Sequence, residues 1–98
     1  MTKRYDEEIE VTPDASAGAP VAFSWRGRRY DVDQRLAAWV EAWADERDRA
    51  WVRVLAHPRG ATADGTVDPD GFLVSHAAVY DLYLDRRRGA WRLARVWD

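Results

Sequence analysis

Between residues 21 and 32 apolar and polar positions alternate on both sides of a single glycine. Val21, Phe23 and Trp25 share one face before Gly27, and Tyr30 and Val32 resume the same period of two after it, which predicts a β-hairpin. Two registers fit. With Gly27 at the first central position of a type II′ turn, Trp25 lies opposite Tyr30 and Phe23 opposite Val32. With Gly27 second in a type I′ turn, Phe23 meets Tyr30 and Val21 meets Val32. Either register builds an aromatic face, and cross-strand pairs of this kind contribute about 0.2 to 1 kcal/mol each over alanine pairs.

The flanking segments carry the same period less strongly. Residues 5–11, Y-D-E-E-I-E-V, set Ile9 and Val11 against Glu8 and Glu10 and predict a short edge strand, whose charge discourages pairing with other molecules. Residues 12–20 are Pro, Gly and small side chains, a flexible loop. Residues 51–57 read as a strand stopped by Pro58, and residues 58–71 as a second, mobile loop without periodicity. Residues 72–85 and 90–97 predict a second hairpin around R-R-R-G, with Gly89 in the left-handed last position of a four-residue loop. That register pairs Leu84 with Trp91, Leu82 with Leu93 and Tyr80 with Arg95, and places Tyr83 across from Arg92 on the other face. Leu82, Leu84, Trp91, Leu93 and Trp97 are then core positions.

Residues 33–49 read two ways. Leu36, Trp39, Val40 and Trp43 fall at helical spacing, Ala is frequent, and Asp31 or Asp33 can cap, so local propensity favours a helix. Val32, Gln34, Leu36, Ala38 and Val40 also alternate as a continuation of the hairpin's second arm, and long bent strands are how small barrels turn corners. The expected fold is therefore mainly β, a small antiparallel barrel or roll of about five strands, with one short helix between residues 33 and 49 as an open alternative. The 98 residues hold one domain and one core.

Composition sharpens this picture. Six Trp in so short a chain point to a core built from rings, and the absence of Cys removes disulfides and thiolate metal sites. No apolar run approaches the length of a membrane span, and the charged start leads into no apolar signal core, so a cytoplasmic location is expected. The net charge of -2 conceals segregation. Acids crowd residues 6–14, whereas Arg26, Arg28 and Arg29 sit on the first hairpin and Arg86, Arg87 and Arg88 on the second.

Candidate chemistry is sparse. His57 and His76 have no Ser-His-Asp, Cys or phosphate-loop pattern beside them, and each reads as structural. Asp64, Asp68 and Asp70 before Gly71 lack the spacing and closing Glu of a calcium loop, so no metal and no cofactor are expected. No enzyme is expected either. The stronger signal is W-R-G-R-R-Y with R-R-R-G-A-W-R, where arginines on hairpin tips interleave with aromatics as in single-strand-binding barrels. Arg26, Arg28, Arg29, Arg86, Arg87 and Arg88 are the candidate contacts to single-stranded DNA. The competing readings are solvated tips, or a protein partner held by the edge at Ile9 and Val11 or by an aromatic patch including Trp43.

The start K-R-Y-D-E-E-I-E-V, the hairpin F-S-W-R-G-R-R-Y-D-V, L-A-A-W-V-E with R-A-W-V-R-V, and the end Y-D-L-Y-L-D-R-R-R-G-A-W-R-L-A-R-V-W-D together resemble an actinobacterial domain-of-unknown-function family of short stand-alone proteins. A related domain closes the ImuB-type proteins, inactive Y-family DNA polymerase homologues of the mutagenic repair machinery. The resemblance implies an accessory role in DNA-damage tolerance or repair, with a nucleic-acid or repair-protein partner, and gives no catalytic residue to carry over.

Overall fold

The computed structural model describes residues 2–16, 18–41, 48–59 and 77–97. They form six strands in chain order: β1 (Thr2–Pro13), β2 (Pro20–Trp25), β3 (Arg28–Glu41), β4 (Arg49–Pro58), β5 (Ala78–Asp85) and β6 (Ala90–Trp97). Each pairs antiparallel with its chain neighbour, and β1 returns to β6 to close the barrel. The β-rich barrel expected from alternation is what forms, with six strands rather than about five.

Of the two registers open to the first hairpin, the type I′ turn is adopted. Arg26 and Gly27 both take positive φ, 52° and 76°, and Phe23 pairs with Tyr30. Their rings stack at 5.0 Å, nearly parallel, and Tyr80 meets both from across the interior at 5.3 and 5.5 Å. Ile9, Val52, Val54, Ala56, Leu82, Leu93 and Val96 complete the inner cluster, with Trp25 and Trp91 packed half-buried against it. The second hairpin closes as its glycine requires. Gly89 sits at φ 65° and its N–H donates to the Asp85 carbonyl, while the Asp85 side chain accepts from the N–H groups of Arg87 and Arg88.

Three expectations need correction. Residues 33–41 are strand, not helix: β3 pairs with β4 from Tyr30 to Glu41 and absorbs two bulges, beside Asp33 and Leu36, that a long bent strand needs. Cross-strand pairing overrides the helical propensity of the Ala-rich run. Residues 5–11 are not a simple edge: β1 pairs with β6 through Ile9 and with β2 only from Glu10 onward, so each part keeps one side without a strand among the described residues, and Ile9 is buried. Finally, Tyr80 faces Val96 rather than Arg95. A register shift opposite Asp81 and Leu82 inserts Ala94 as an extra residue, so Arg95 pairs with Asp81 and the parity of Trp97 flips from core to outer face. Leu84 with Trp91, Leu82 with Leu93 and Tyr83 with Arg92 pair as the four-residue loop dictates. Residues 60–71 of the second expected loop, and the expected strand residues 72–76, lie outside the described residues.

Burial ranks the consequences of truncation. Leu82 has no exposed surface, so Leu82→Ala should cost about 3 to 4 kcal/mol in urea denaturation, through lost transfer energy plus the cavity left behind. Val40 is more than half exposed, and Val40→Thr should change stability by less than about 0.5 kcal/mol in the same measurement.

Candidate functional site

Alternating strand direction puts the β1–β2 and β5–β6 turns at one end of the barrel and the β2–β3 turn at the other. The two arginine-bearing tips therefore point to opposite ends and do not build one basic surface. Nor are all six guanidiniums available. Arg26 folds back onto β1, donating to both Glu7 oxygens at 2.9 and 2.6 Å and lying over the Tyr5 and Trp25 rings. Arg86 pairs with Asp48 at 3.3 Å, and Arg88 approaches Asp85 at 3.8 Å. Arg29 donates to the Ser24 and Thr12 hydroxyls, and neither Arg28 nor Arg87 makes an ion pair among the described residues. Trp43 and His76, with Asp64, Asp68 and Asp70, lie outside the described residues.

Two features that sequence reading missed are more developed. The first is an aromatic and guanidinium lattice on the outer face of β3 to β6. Trp39 stacks on its cross-strand partner Trp51 at 5.7 Å with planes 4° apart, and Trp51 abuts Tyr83 at 4.8 Å. Arg95 covers Trp51, Arg49 covers Tyr83, and Arg53 lies near both Trp39 and Trp97. At its centre the Asp81 carboxylate, with no exposed surface, accepts two hydrogen bonds from Arg53 at 2.7 and 3.1 Å and one from the Trp97 indole N–H at 3.0 Å. On the β1 side the Tyr83 hydroxyl donates to Asp6 at 2.6 Å, and Arg92 donates to the same oxygen at 2.7 Å. The signal was present in the outward parity of Trp51, Arg53, Asp81 and Tyr83, but nothing in alternation says that outward rings will be covered by arginines.

The second feature is an open strand edge. β2 pairs with β3 only over residues 28–31, so residues 34–41 of β3 have β4 on one side and, among the described residues, no strand on the other. This overhang is about 26 Å long at a rise of about 3.3 Å per residue. Leu36, Trp39 and Val40 stand exposed along it at 43, 37 and 56%. A free edge carries unpaired N–H and C=O groups, and here charge is nearly absent between Arg35 and Glu41.

The titratable groups are structural in placement. His57 Nδ1 lies 2.7 Å from Asp33 on the surface. The Tyr83 hydroxyl and Arg92 hold the Asp6 carboxyl below the usual carboxylate range, Arg26 does the same for Glu7, and Arg59 for Asp31. Burial, reinforced by Asp6, pushes the Tyr83 hydroxyl up. Among the described residues no group of three or more His, Asp or Glu is placed to hold a metal ion, and no helix is long and apolar enough to cross a membrane.

The chain belongs to the family described as a domain of unknown function, DUF6504, whose model matches residues 1–98. No curated protein and no solved structure matches it.

Asp81→Asn removes the charge on which Arg53 and Trp97 converge, and should cost about 2 to 3 kcal/mol by chemical denaturation. A fully buried pair would cost more; Arg53 keeps a third of its side chain exposed. The depressed carboxyls of Asp6, Glu7 and Asp31 set the acid limb. Their contribution is complete above the unfolded carboxylate pKa of about 4 and disappears as pH falls through the lower folded values. Thermal melts should be flat from pH 7 to 5 and fall below about 4, with a shallower fall in Asp6→Asn.

Proposed function

We propose that this DUF6504 domain is a non-enzymatic interaction module that adds an extended segment of a partner polypeptide to the free edge of β3. The observation that carries this reading is the overhang itself, where backbone groups lack a strand partner among the described residues and Leu36, Trp39 and Val40 are exposed. Strand addition satisfies those backbone groups, while side-chain pockets on alternate residues supply selectivity. Asp33 and Glu41 bracket the edge, so the fitting segment has an apolar centre and basic flanks. A second copy fits poorly. Antiparallel self-pairing of residues 33–41 about Ala37 sets Asp33 against Glu41 twice, and like charges directly opposite are destabilising. The resemblance to the domain that closes ImuB-type proteins supports seeking the partner in the DNA-damage tolerance machinery of an actinobacterial cytoplasm.

Direct contact with single-stranded nucleic acid is a second reading, favoured by Arg28 and Arg29, adjacent on one tip and free of carboxylate partners among the described residues. Such binding releases counterions and weakens steeply with salt. Titration of a labelled oligonucleotide at low salt tests it, and binding unchanged in Arg28→Ala/Arg29→Ala removes it.

For the main reading, displayed random peptides selected on the folded domain should converge on alternating apolar residues with Lys or Arg at the ends. Those peptides should shift the backbone amide resonances of residues 34–41. Val40→Pro, which removes an edge donor and the extended pairing geometry, should weaken them by about tenfold or more while leaving the fold intact. Peptides that map elsewhere, or concentration-dependent dimerisation through the same amides, would overturn the assignment.

A further inference from the structure

We propose that the outer cleft between β1, β4, β5 and β6 binds a terminal phosphate monoester. The cleft, about 290 Å³, is lined principally by Arg4, Asp6, Arg49, Trp51, Tyr83 and Arg95. None of these residues lies on β3, so the site does not depend on the strand edge.

Charge is unbalanced there. Arg4 and Arg95 are direct cross-strand partners, an arrangement that repels unless an anion joins the two. Arg95 reaches an acid only at 4.0 Å, and that acid, Asp81, already accepts from Arg53 and Trp97. Arg49 lies over the Tyr83 ring at 4.5 Å and, like Arg4, makes no ion pair among the described residues. The one carboxylate in the wall, Asp6, is occupied by the Tyr83 hydroxyl and Arg92. Three guanidiniums thus line one cleft, two of them without an ion pair among the described residues and the third, Arg95, only at the margin of an acid already occupied.

Trp51 stands in the same wall. Its indole N–H is buried and has no acceptor among the described residues, a costly state for a donor in a folded protein. Ala94, the extra residue of β6, contributes only a methyl group to the lining beside Arg95.

The donor set selects the ligand chemistry. A carboxylate offers two oxygens and one charge, and a phosphodiester two free oxygens and one charge. A phosphate monoester offers three terminal oxygens and nearly two charges, matching several guanidinium forks at once. The faces of Trp51 and Tyr83 are already covered by Arg95 and Arg49, so the rings serve as walls rather than as a base-stacking platform. A free phosphorylated small molecule and a phosphorylated strand end present this same group.

The test is a titration of 15N-labelled protein followed at the Trp51 indole N–H resonance, assigned with Trp51→Phe. The probes are inorganic phosphate, a nucleoside 5′-monophosphate, the unphosphorylated nucleoside, and one oligonucleotide with and without a 5′-phosphate. Saturable shifts are expected only with probes bearing a terminal phosphate, weakened by about tenfold or more in Arg4→Gln and in Arg49→Gln. Arg4 is exposed, so Arg4→Gln serves even if Arg49→Gln disturbs packing. Equal affinity for the monophosphate and the phosphorylated oligonucleotide assigns the site to small phosphates, and preference for the oligonucleotide assigns it to strand ends. Absence of saturation by about 10 mM, well above typical ligand affinities, would overturn the proposal. So would equal shifts with unphosphorylated probes, or affinity unmoved by Arg4→Gln.

Discussion

Closure depends on one strand serving two neighbours in succession. β1 gives its first part to β6, as far as Ile9 against Trp91, and its last residues to β2, from Glu10 against Ser24. That stagger seals the interior and lets Phe23, Tyr30 and Tyr80 lie within about 5.5 Å of one another in the described core. It also fixes where the barrel stays open. Because β2 has only six residues, it covers the near end of β3 and leaves the rest beyond its reach.

Outside the barrel a different chemistry keeps β4, β5 and β6 in register. Asp81 is a buried charge on an outward position, tolerable only because Arg53 and Trp97 fill its oxygens and Arg95 stands near. Arginines lie over the outer rings, so Trp51 and Tyr83 are nearly as buried as the core although their side chains point away from it. The domain therefore has two aromatic layers, one dry and stacked inside, one sandwiched with guanidinium groups outside. The charge segregation along the chain serves this arrangement: acids of β1 meet arginines of β6 and of the first hairpin tip, as Asp6 does Arg92 and Glu7 does Arg26.

Much of the fold is legible in the sequence because period two and turn glycines are local signals. Gly27 and Gly89 locate both hairpins, and the pairing of Leu82 with Leu93 follows from loop length alone. What escapes is whatever bulges decide. An inserted residue costs nothing in the pattern of Val, Leu and Trp, yet Ala94 turns Trp97 outward, and the bulges at Asp33 and Leu36 let β3 imitate helical spacing. The candidate surfaces are less legible still. Arg26 and Arg28 look equivalent as letters, and only the fold shows Glu7 beneath one of them. The free edge of β3 follows from the shortness of β2, a relation between two strands rather than a property of either.

The overhanging arm also divides the molecule by how readily its amide protons reach solvent. Along residues 34–41 alternate N–H groups point to β4 and away from it, so protection against hydrogen exchange is periodic there while β5, flanked on both sides, is shielded throughout. Local opening of the arm breaks one ladder and exposes few core atoms. It can fluctuate without unlocking the sealed interior, and the domain carries a low-stability unit beside a rigid one.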